Sequence, residues 1–496
     1  MDDTTPAQQN DKNNALTTTA TTGPSTKQEQ FDLLEQDPPP NEAEERRLRN
    51  KIDRVILPLM ALVFFSQYVD KQSLSYAAVF GLVTDLDLHG RQYSWLSSIF
   101  YLGQLLSEFP FIYLMSRLPL ARFVGVTVII WGIICMCLAA CNSFSSMMGV
   151  RFILGFAEGA VQPAFVTLTS IWYKKREHPM RIGIWISCNG LAQVLGALMM
   201  YGIGKNPTAI AAWRIMFLVC GAITIFAGIL FTLAMPSGPE SAWFLTPAER
   251  IAAKKRLQLE SEGGDRTNFA PGQLKEALLQ VRTWLNLGFG ILITLPAPVL
   301  VFASLIINSL GYDKYETMLY TSPSGAVQIF FIWVGIALCF IWPNRRCCII
   351  VGLVMIPLTG IILLFTLPLT AGWGMIVASW LASVISNIFS LVLSLSASNV
   401  RGNTKKAVVN ALFFIGYAAG AVIGPLLWDS NYAPRYQQGL ILALVSWIVF
   451  VLAVIGYWYS CYWDNRKKAN LGGVSVVYTD GREVTDKGDP TFRYTY

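Results

Sequence analysis

The residues of this chain that could do chemistry are charged side chains inside apolar stretches. Nearly all of the sequence between residues 53 and 463 consists of such stretches, and the charges within them are few: Asp70, Lys71, Glu108 and Glu158. An ionisable side chain at mid-membrane costs about 2.5–3.5 kcal/mol on insertion scales, so it usually faces a bundle interior or a water-filled cavity. We therefore expect these residues to mark the functional site of a membrane protein.

Lys71 lies on a polar face of the first apolar stretch. Gln67, Lys71 and Ser75 are spaced i, i+4 and i+8, so they share one face of a helix, whereas Asp70 lies about 100° away. An amide, an ammonium and a hydroxyl together can bind a carboxylate, which predicts a substrate-binding wall. The alternative is that Asp70 and Lys71 neutralise neighbouring charges and only hold helices together.

Glu158 shares a helical stripe with Arg151 and Gly155. A carboxyl group in this setting is suited to taking up and releasing a proton, so Arg151, Glu158 and Asp70 are candidates for proton coupling or gating. The alternative for the stripe is a fixed link between Arg151 and Glu158. For Glu108, which precedes Pro110 near the end of the second apolar stretch, we favour a structural or gating role over proton coupling.

The second half of the chain has no comparable embedded charge. It offers polar side chains that could orient a ligand, and the candidates for substrate binding are Asn308, Gln328, Asn410 and Tyr417. If the substrate is an anion, the first half must supply the cation. Gly416, Gly420 and Gly424 recur every four residues, which predicts close helix packing.

Other kinds of chemistry have little support in the sequence. Nine cysteines form no C-x-x-C pair, and the two histidines, His89 and His178, are too few for a histidine-based metal site or a catalytic triad. We expect no metal, no cofactor and no enzymatic activity. The net charge of +7 comes from Lys and Arg in short segments between apolar runs, so it indicates membrane topology and no nucleic acid partner.

The elements that must position these residues are membrane-spanning helices. An apolar run of 18 or more residues can cross a hydrocarbon core of about 30 Å, and the chain is 53% hydrophobic but only 14% charged. The sequence predicts an all-α polytopic membrane protein with twelve such helices, near residues 55–78, 93–115, 120–140, 146–172, 182–203, 213–235, 284–308, 321–342, 347–367, 371–396, 405–428 and 438–463.

Basic residues concentrate in alternate loops, so the positive-inside rule predicts that both termini are cytoplasmic. The predicted organisation is a disordered tail (1–45), a six-helix half (46–235), a central cytoplasmic loop (236–283), a second six-helix half (284–463) and a cytoplasmic tail (464–496). In the central loop, Thr246 and Glu249 form a capping-box pattern that predicts a helix over about 247–262. A second helix, with Leu274, Ala277, Leu278 and Val281 on one face, should lie along the membrane surface.

Several segments resemble the major facilitator superfamily, and in particular its fungal allantoate permease family of anion:cation symporters. The segments RRLRNKIDRVILPLM, SQYVDKQSLSYAAV, YLGQLLSEFP, RFILGFAEGAVQPAF, SIWYKKREHPMRIGIW, PSGPESAWFLTPAER and NTKKAVVNALFFIGYAAGAVIGP carry the resemblance in order, over about residues 45–465. The loop after the second helix departs from the usual gating motif, since only Arg117 and Arg122 of it remain. A gating salt bridge is therefore not expected there.

The resemblance implies a two-half major facilitator fold and a monomeric transporter in the plasma membrane. It implies import of a small organic anion with protons by alternating access, the anion being a carboxylate such as allantoate, ureidosuccinate, nicotinate or another vitamin, or a small peptide. One alternative is an exporter of a secondary metabolite on the same fold. A second alternative, from another class, is a nutrient sensor that does not transport.

Overall fold

The computed structural model describes residues 42–159, 161–174, 177–206, 209–258, 270–429, 432–433, 435–470, 485–489 and 492–496. Regular secondary structure within these ranges is helical. Residues 1–41 of the predicted tail lie outside the described residues. Residues 42–45, which the sequence assigned to that tail, form the start of the first helix.

Six helices form each half of the bundle. The first half contains α1 (Glu42–Ala77), α2 (Gln92–Arg117), α3 (Leu120–Cys137), α4 (Phe144–Glu158 and Val161–Trp172), α5 (His178–Lys205) and α6 (Ala212–Ala234). The central loop carries α7 (Pro247–Gln258) and α8 (Pro271–Leu279). The second half contains α9 (Val281–Thr294 and Pro298–Ser309), α10 (Lys314–Thr321 and Pro323–Ile341), α11 (Arg346–Thr366), α12 (Trp373–Ala382 and Ser386–Asn399), α13 (Asn403–Leu426) and α14 (Gln437–Asn470).

In the described part of the chain, eleven helices are long and apolar enough to cross a membrane. They include every helix of the two halves except α2. At a rise of 1.5 Å per residue, the 26 residues of α2 cover about 39 Å, which also exceeds the thickness of the hydrocarbon core. The predicted all-α architecture of two six-helix halves is confirmed.

Glycines allow α13 to pack closely on α9. A Cβ atom added to Gly416 would lie 2.2 Å from the carbonyl oxygen of Leu287. A Cβ atom at Gly420 would lie 2.5 Å from the carbonyl oxygen of Ile291. These distances are too short for any side chain, so the predicted role of the glycine repeat in close packing is confirmed.

Hydrogen bonds join the two halves near the side of the bundle opposite the central loop, which we call the far side. Arg91, in the loop before α2, donates from Nε to Oδ2 of Asp429 after α13, at 3.0 Å. Nearby, the hydroxyl of Ser94 donates to the carbonyl oxygen of Trp428 at 2.6 Å. These contacts hold the far ends of the two halves together.

Three long helices in the described residues of the second half are interrupted within the bundle. The interruptions lie between Thr294 and Pro298 in α9, between Thr321 and Pro323 in α10, and between Ala382 and Ser386 in α12. Pro296 and Pro298 explain the break in α9, because proline has no N–H to donate. Freed backbone groups are tolerated at membrane depth only when they are buried in protein or line a water-filled cavity. The breaks therefore indicate where a cavity lies.

In the central loop, the predicted N-cap of α7 is found, but the predicted apolar face of α8 is only partly exposed. The N–H of Thr246 donates to Oε2 of Glu249 at 2.8 Å, and the N–H of Glu249 donates to Oγ1 of Thr246 at 3.4 Å, so the capping box is confirmed. In α8, Leu278 and Leu279 are exposed, as expected of a helix on a membrane surface. Ala277 is buried instead, because α8 packs against α13.

Parts of the predicted cytoplasmic tail (464–496) have a defined structure. α14 continues to Asn470, and residues 485–489 and 492–496 pack on helix ends of the second half. Asp486 Oδ1 lies 2.6 Å from the ammonium nitrogen of Lys405, and both side chains are buried. Asn399 donates from Nδ2 to the carbonyl oxygen of Thr495 at 2.8 Å and accepts from its N–H at 2.8 Å. The described residues at the end of the chain are therefore docked on the second half.

Candidate functional site

A cavity lies between the two halves, beside the interruptions of α9 and α12. About 970 Å³ is free of protein atoms, counting the part that is open to solvent. The first half contributes two cationic and four carboxamide side chains to its wall: Lys71, Arg151, Gln67, Gln72, Gln162 and Asn189. The second half contributes mostly apolar and hydroxyl side chains, among them Thr294, Val301, Ile385, Ser386, Phe389 and Tyr417.

Lys71 forms an ion pair with Glu158, and this pairing differs from the one that the sequence suggested. The ammonium nitrogen of Lys71 lies 3.0 Å from Oε1 of Glu158, which is fully buried, while Lys71 is 13% exposed at the cavity wall. Glu158 belongs to the first segment of α4, Phe144–Glu158. Lys71 therefore lies between a buried carboxylate and the open cavity.

Asp70 faces away from the cavity, into the first half. Its carboxylate accepts hydrogen bonds from Nε1 of Trp131 at 2.5 Å, from the hydroxyl of Thr224 at 3.1 Å and from the thiol of Cys135 at 3.5 Å. These donors belong to α3 and α6, so Asp70 joins α1 to both helices. This direction agrees with the helical spacing, which places Asp70 about 100° from the face of Lys71. The geometry matches the alternative in which Asp70 holds helices together.

Arg151 lies in the cavity wall with unused hydrogen-bond donors. Its side chain is 2% exposed, and its Nε and Nη2 atoms have no hydrogen-bond partner among the described residues. Its guanidinium carbon lies 5.9 Å from the centre of the Phe217 ring. In the described part of the chain no ion pair links Arg151 to Glu158, so the fixed link suggested as an alternative is absent. Buried guanidinium donors without partners favour an anionic ligand.

Of the other predicted binding residues in α1 and α13, Gln67 and Tyr417 line the cavity. Ser75 does not. Its hydroxyl donates to the carbonyl oxygen of Val301 at 2.5 Å and lies 2.5 Å from the hydroxyl of Ser304. Ser75 therefore links α1 of the first half to α9 of the second half by hydrogen bonds. The helical face that begins at Gln67 extends beyond the cavity into the contact between these two helices.

Three predicted residues of the second half lie outside the cavity wall. Asn308 donates to the carbonyl oxygen of Tyr312 at 3.3 Å, near the far side. Gln328 donates to Oε1 of Gln193 at 2.5 Å, so it bonds the two halves to each other. Asn410 is half-buried in α13 and is not among the side chains at the cavity.

Glu108 is buried in α2 and also lies outside the cavity wall. It follows Ser107, whose hydroxyl packs closely on the backbone of Gly159, next to Glu158. No ion pair involves Glu108 within the described ranges.

Several cavity residues could not be recognised from the sequence. Gln72, Gln162 and Asn189 supply carboxamides, but single Gln and Asn residues in apolar stretches do not by themselves predict which helix faces meet. The break in α9 did carry a signal, since Pro296 and Pro298 stand inside a predicted helix. That signal points to Thr294 as a cavity residue.

An all-helical protein of two six-helix halves, with a polar cavity between them, has the fold of a membrane transporter. The sequence model of the Major Facilitator Superfamily matches residues 60–425. The chain therefore belongs to this superfamily of transporters, which are not enzymes, and the predicted superfamily is confirmed.

Several transporters are similar in sequence to this chain over nearly its whole length. An uncharacterised transporter of Schizosaccharomyces pombe is 32% identical, covering 91% of this chain and 88% of the relative. The allantoate permease of Saccharomyces cerevisiae is 31% identical, covering 91% and 87%, and the thiamine pathway transporter of the same yeast is 30% identical, covering 91% and 86%. These relatives support the predicted likeness to the allantoate permease family.

Solved structures share the fold at low sequence identity. The proton:xylose symporter XylE bound to 6-bromo-6-deoxy-D-glucose has a TM-score of 0.61 and is 15% identical, with coverage of 82% of this chain and 96% of that chain. An inward-facing bacterial homologue of the lysosomal transporter Spinster has a TM-score of 0.59 and is 16% identical, with coverage of 83% and 96%.

Proposed function

We propose that this transporter imports a small organic anion together with a proton across the plasma membrane, by alternating access. The observation that carries the proposal is the placement of Lys71 and Arg151 in one cavity wall. Arg151 has donors without partners, and Lys71 has a partner that a proton can neutralise. Both cations come from the first half, as the sequence led us to expect.

Proton coupling follows from competition for Lys71. An ionised Glu158 holds the ammonium at 3.0 Å, so a substrate carboxylate must compete with it. When Glu158 takes up a proton, the attraction between the two side chains is lost and Lys71 becomes available to the substrate. When the proton leaves, Glu158 binds Lys71 again and displaces the anion. Substrate and proton would therefore bind and leave together.

The contacts between the halves support alternating access. Arg91 with Asp429 and Ser94 with Trp428 join the halves on the far side, which suits an inward-facing state if the central loop is cytoplasmic. The basic loops favour that orientation, with both termini inside. We also propose that the transporter is a monomer. In the outward-facing state these contacts must separate while the opposite side closes.

Uptake into a permease-deficient yeast tests the function. Cells that express the full chain are given radiolabelled allantoate, ureidosuccinate, nicotinate and small peptides at two external pH values. We expect concentrative uptake of at least one carboxylate, faster at acidic pH and abolished by a protonophore. Uptake that is equal at both pH values and insensitive to the protonophore would rule out proton coupling. Efflux of a preloaded anion against its gradient would instead indicate an exporter.

A tag experiment tests the orientation. Epitope tags at both termini and within residues 260–270 should be protected from protease in intact cells and cleaved after permeabilisation. A tag at any of these positions that is cleaved from outside would contradict the proposed topology.

A further inference from the structure

We propose that the C-terminal segment, described at residues 485–489 and 492–496, restrains parts of two interrupted helices, α9 and α12. These are the parts on the side of the bundle that carries the central loop, which we call the near side. While the segment is docked, the near-side parts stay in place. When it is released, they become free to bend at the breaks. This restraint does not depend on which solute the cavity binds.

Each of the two helices has a break that can act as a hinge. The near-side part of α9 is Val281–Thr294 and that of α12 is Ser386–Asn399, so each has 14 residues and is about 21 Å long. The far-side parts, Pro298–Ser309 and Trp373–Ala382, lie beyond the breaks. Because regular helix does not continue through a break, the position of each near-side part depends on contacts along its side and at its free end.

The C-terminal segment binds the free end of α12. Asn399, the last residue of this helix, donates from Nδ2 to the carbonyl oxygen of Thr495 at 2.8 Å. Its Oδ1 accepts from the N–H of Thr495 at 2.8 Å and from the hydroxyl at 3.0 Å. Asn399 is buried, so both ends of a buried carboxamide hold the backbone of the segment.

The segment also covers the free end of α9. The guanidinium carbon of Arg282 lies 3.7 Å from the centre of the Tyr494 ring, and Nη2 of Arg282 lies 4.0 Å from Oδ2 of Asp486. The hydroxyl of Tyr494 donates to the same oxygen of Asp486 at 2.8 Å. All three side chains are buried. The segment therefore supplies an aromatic face and a negative charge to a guanidinium that is shielded from water.

α14 anchors the segment from the other side. Asn465 donates from Nδ2 to the carbonyl oxygen of Tyr494 at 2.8 Å and accepts from its N–H at 2.8 Å. The ammonium of Lys468 donates to three backbone carbonyl oxygens, those of Asp486, Asp489 and Phe492. α14 is a continuous helix of 34 residues. The segment therefore ties the free ends of both near-side parts to a helix that has no break.

Other contacts of these free ends limit the size of the expected effect. They are Asn399 with the hydroxyl of Tyr457 at 3.1 Å, Arg282 with Asp464 at 3.1 Å, and Arg346 of α11 with the hydroxyl of Ser398 at 2.6 Å. Release of the segment should therefore loosen the free ends without detaching them.

α10 provides an internal control. It is also interrupted, between Thr321 and Pro323, and its near-side part is Pro323–Ile341. The polar and aromatic contacts described for the C-terminal segment are instead with α8, α9, α12, α14 and the start of α13. The near-side part of α10 should therefore not respond to release of the segment.

Hydrogen–deuterium exchange tests the inference by comparing the purified full-length protein with a protein that ends at residue 484. Amides in Val281–Thr294 and Ser386–Asn399 should exchange about fivefold faster in the shortened protein, because local opening requires fewer contacts to break. Amides in the far-side parts of the same helices, and in the near-side part of α10, should change by less than about twofold.

A second variant keeps the whole chain. Asn465→Ala removes both side-chain bonds to the backbone of Tyr494 and should reproduce the faster exchange. Asn470→Ala, at an exposed position of the same helix, should not.

Unchanged exchange in both near-side parts of the shortened protein would show that the segment does not restrain them. An equal rise in the far-side parts would show that the segment stabilises the second half as a whole, and the proposed restraint would be wrong. If the shortened protein does not fold, the same two outcomes are read from Asn465→Ala.

Discussion

Lys71 on α1 and Glu158 on α4 form an ion pair at 3.0 Å, at the wall of the cavity between the two halves. The carboxylate is fully buried, and the ammonium has its other side toward the cavity. The predicted proton site, Glu158, and the predicted anion-binding residue, Lys71, are therefore in direct contact. A substitution of either one changes the surroundings of the other, so each test needs a control for its partner.

Replacing Lys71 with alanine should abolish uptake, because the proposed anion-binding site then loses one of its two cationic side chains. The same change strands the carboxylate of Glu158, which costs about 3–5 kcal/mol when one member of a buried pair is removed. The control is therefore Lys71→Ala/Glu158→Gln, which should recover thermal stability but not uptake. Lys205→Ala, an exposed lysine on the far side, is the matched substitution. Normal uptake by Lys71→Ala would remove this residue from the anion site.

Replacing Glu158 with glutamine should separate accumulation from exchange. Glutamine keeps the size of the side chain but does not ionise, so no proton is released on the inside and Lys71 stays available to the substrate. We expect loss of concentrative uptake, retention of exchange between labelled and unlabelled substrate, and loss of the acceleration at acidic pH. If this variant still accumulates substrate against its gradient, coupling belongs to another carboxyl group, and Glu108 is the next candidate.

Replacing Asp70 with asparagine should affect stability more than coupling. The carboxylate accepts three hydrogen bonds from α3 and α6, and an amide nitrogen in its place would face the Nε1 donor of Trp131. An unsatisfied buried group costs about 1–3 kcal/mol, so the melting temperature should fall. Thr224→Val, which removes one donor, should produce a smaller fall. The pH dependence of uptake should remain as in the unaltered protein; its loss at normal stability would identify Asp70 as the proton site.

The docked C-terminal segment should make stability depend on pH. Burial raises the pKa of Asp486, but Lys405 and the hydroxyl of Tyr494 outweigh it, so the pKa lies below the usual carboxyl value. The folded protein therefore favours the ionised form. The stabilisation is fully present above about pH 4, the usual carboxyl pKa, and is lost as pH falls through the lowered value.

Asp486→Asn should remove this stabilisation and leave the buried ammonium of Lys405 with Glu276 as its ion-pair partner, lowering the melting temperature at pH 7. Asp486→Leu/Lys405→Met, which removes both charges, should restore part of it. Asp87→Asn is the matched control, because Asp87 forms an exposed pair with His89, and exposed pairs contribute little. Equal melting curves for Asp486→Asn and the unaltered protein, from pH 7 to pH 3, would show that the segment does not stabilise the second half.

The sequence alone determined the spans and the list of embedded charges. Apolar length sets where a helix can cross a membrane, and this property is local, so all twelve predicted helices are found. The capping box at Thr246 and the glycine repeat in α13 are local patterns too, and both agree with the structure. Family membership followed from ordered motifs along the chain and agrees with the match over residues 60–425.

Only the tertiary structure decided which charges meet. Lys71 pairs with Glu158, 87 positions away, while Asp70 beside it bonds to α3 and α6. Helical spacing tells which residues share a face but not which helix that face touches, because interhelical packing is set by contacts distant in sequence. For the same reason the sequence did not show the partners of Ser75, Gln328 and the C-terminal segment: these partners, Val301, Gln193 and Lys405, lie on other helices.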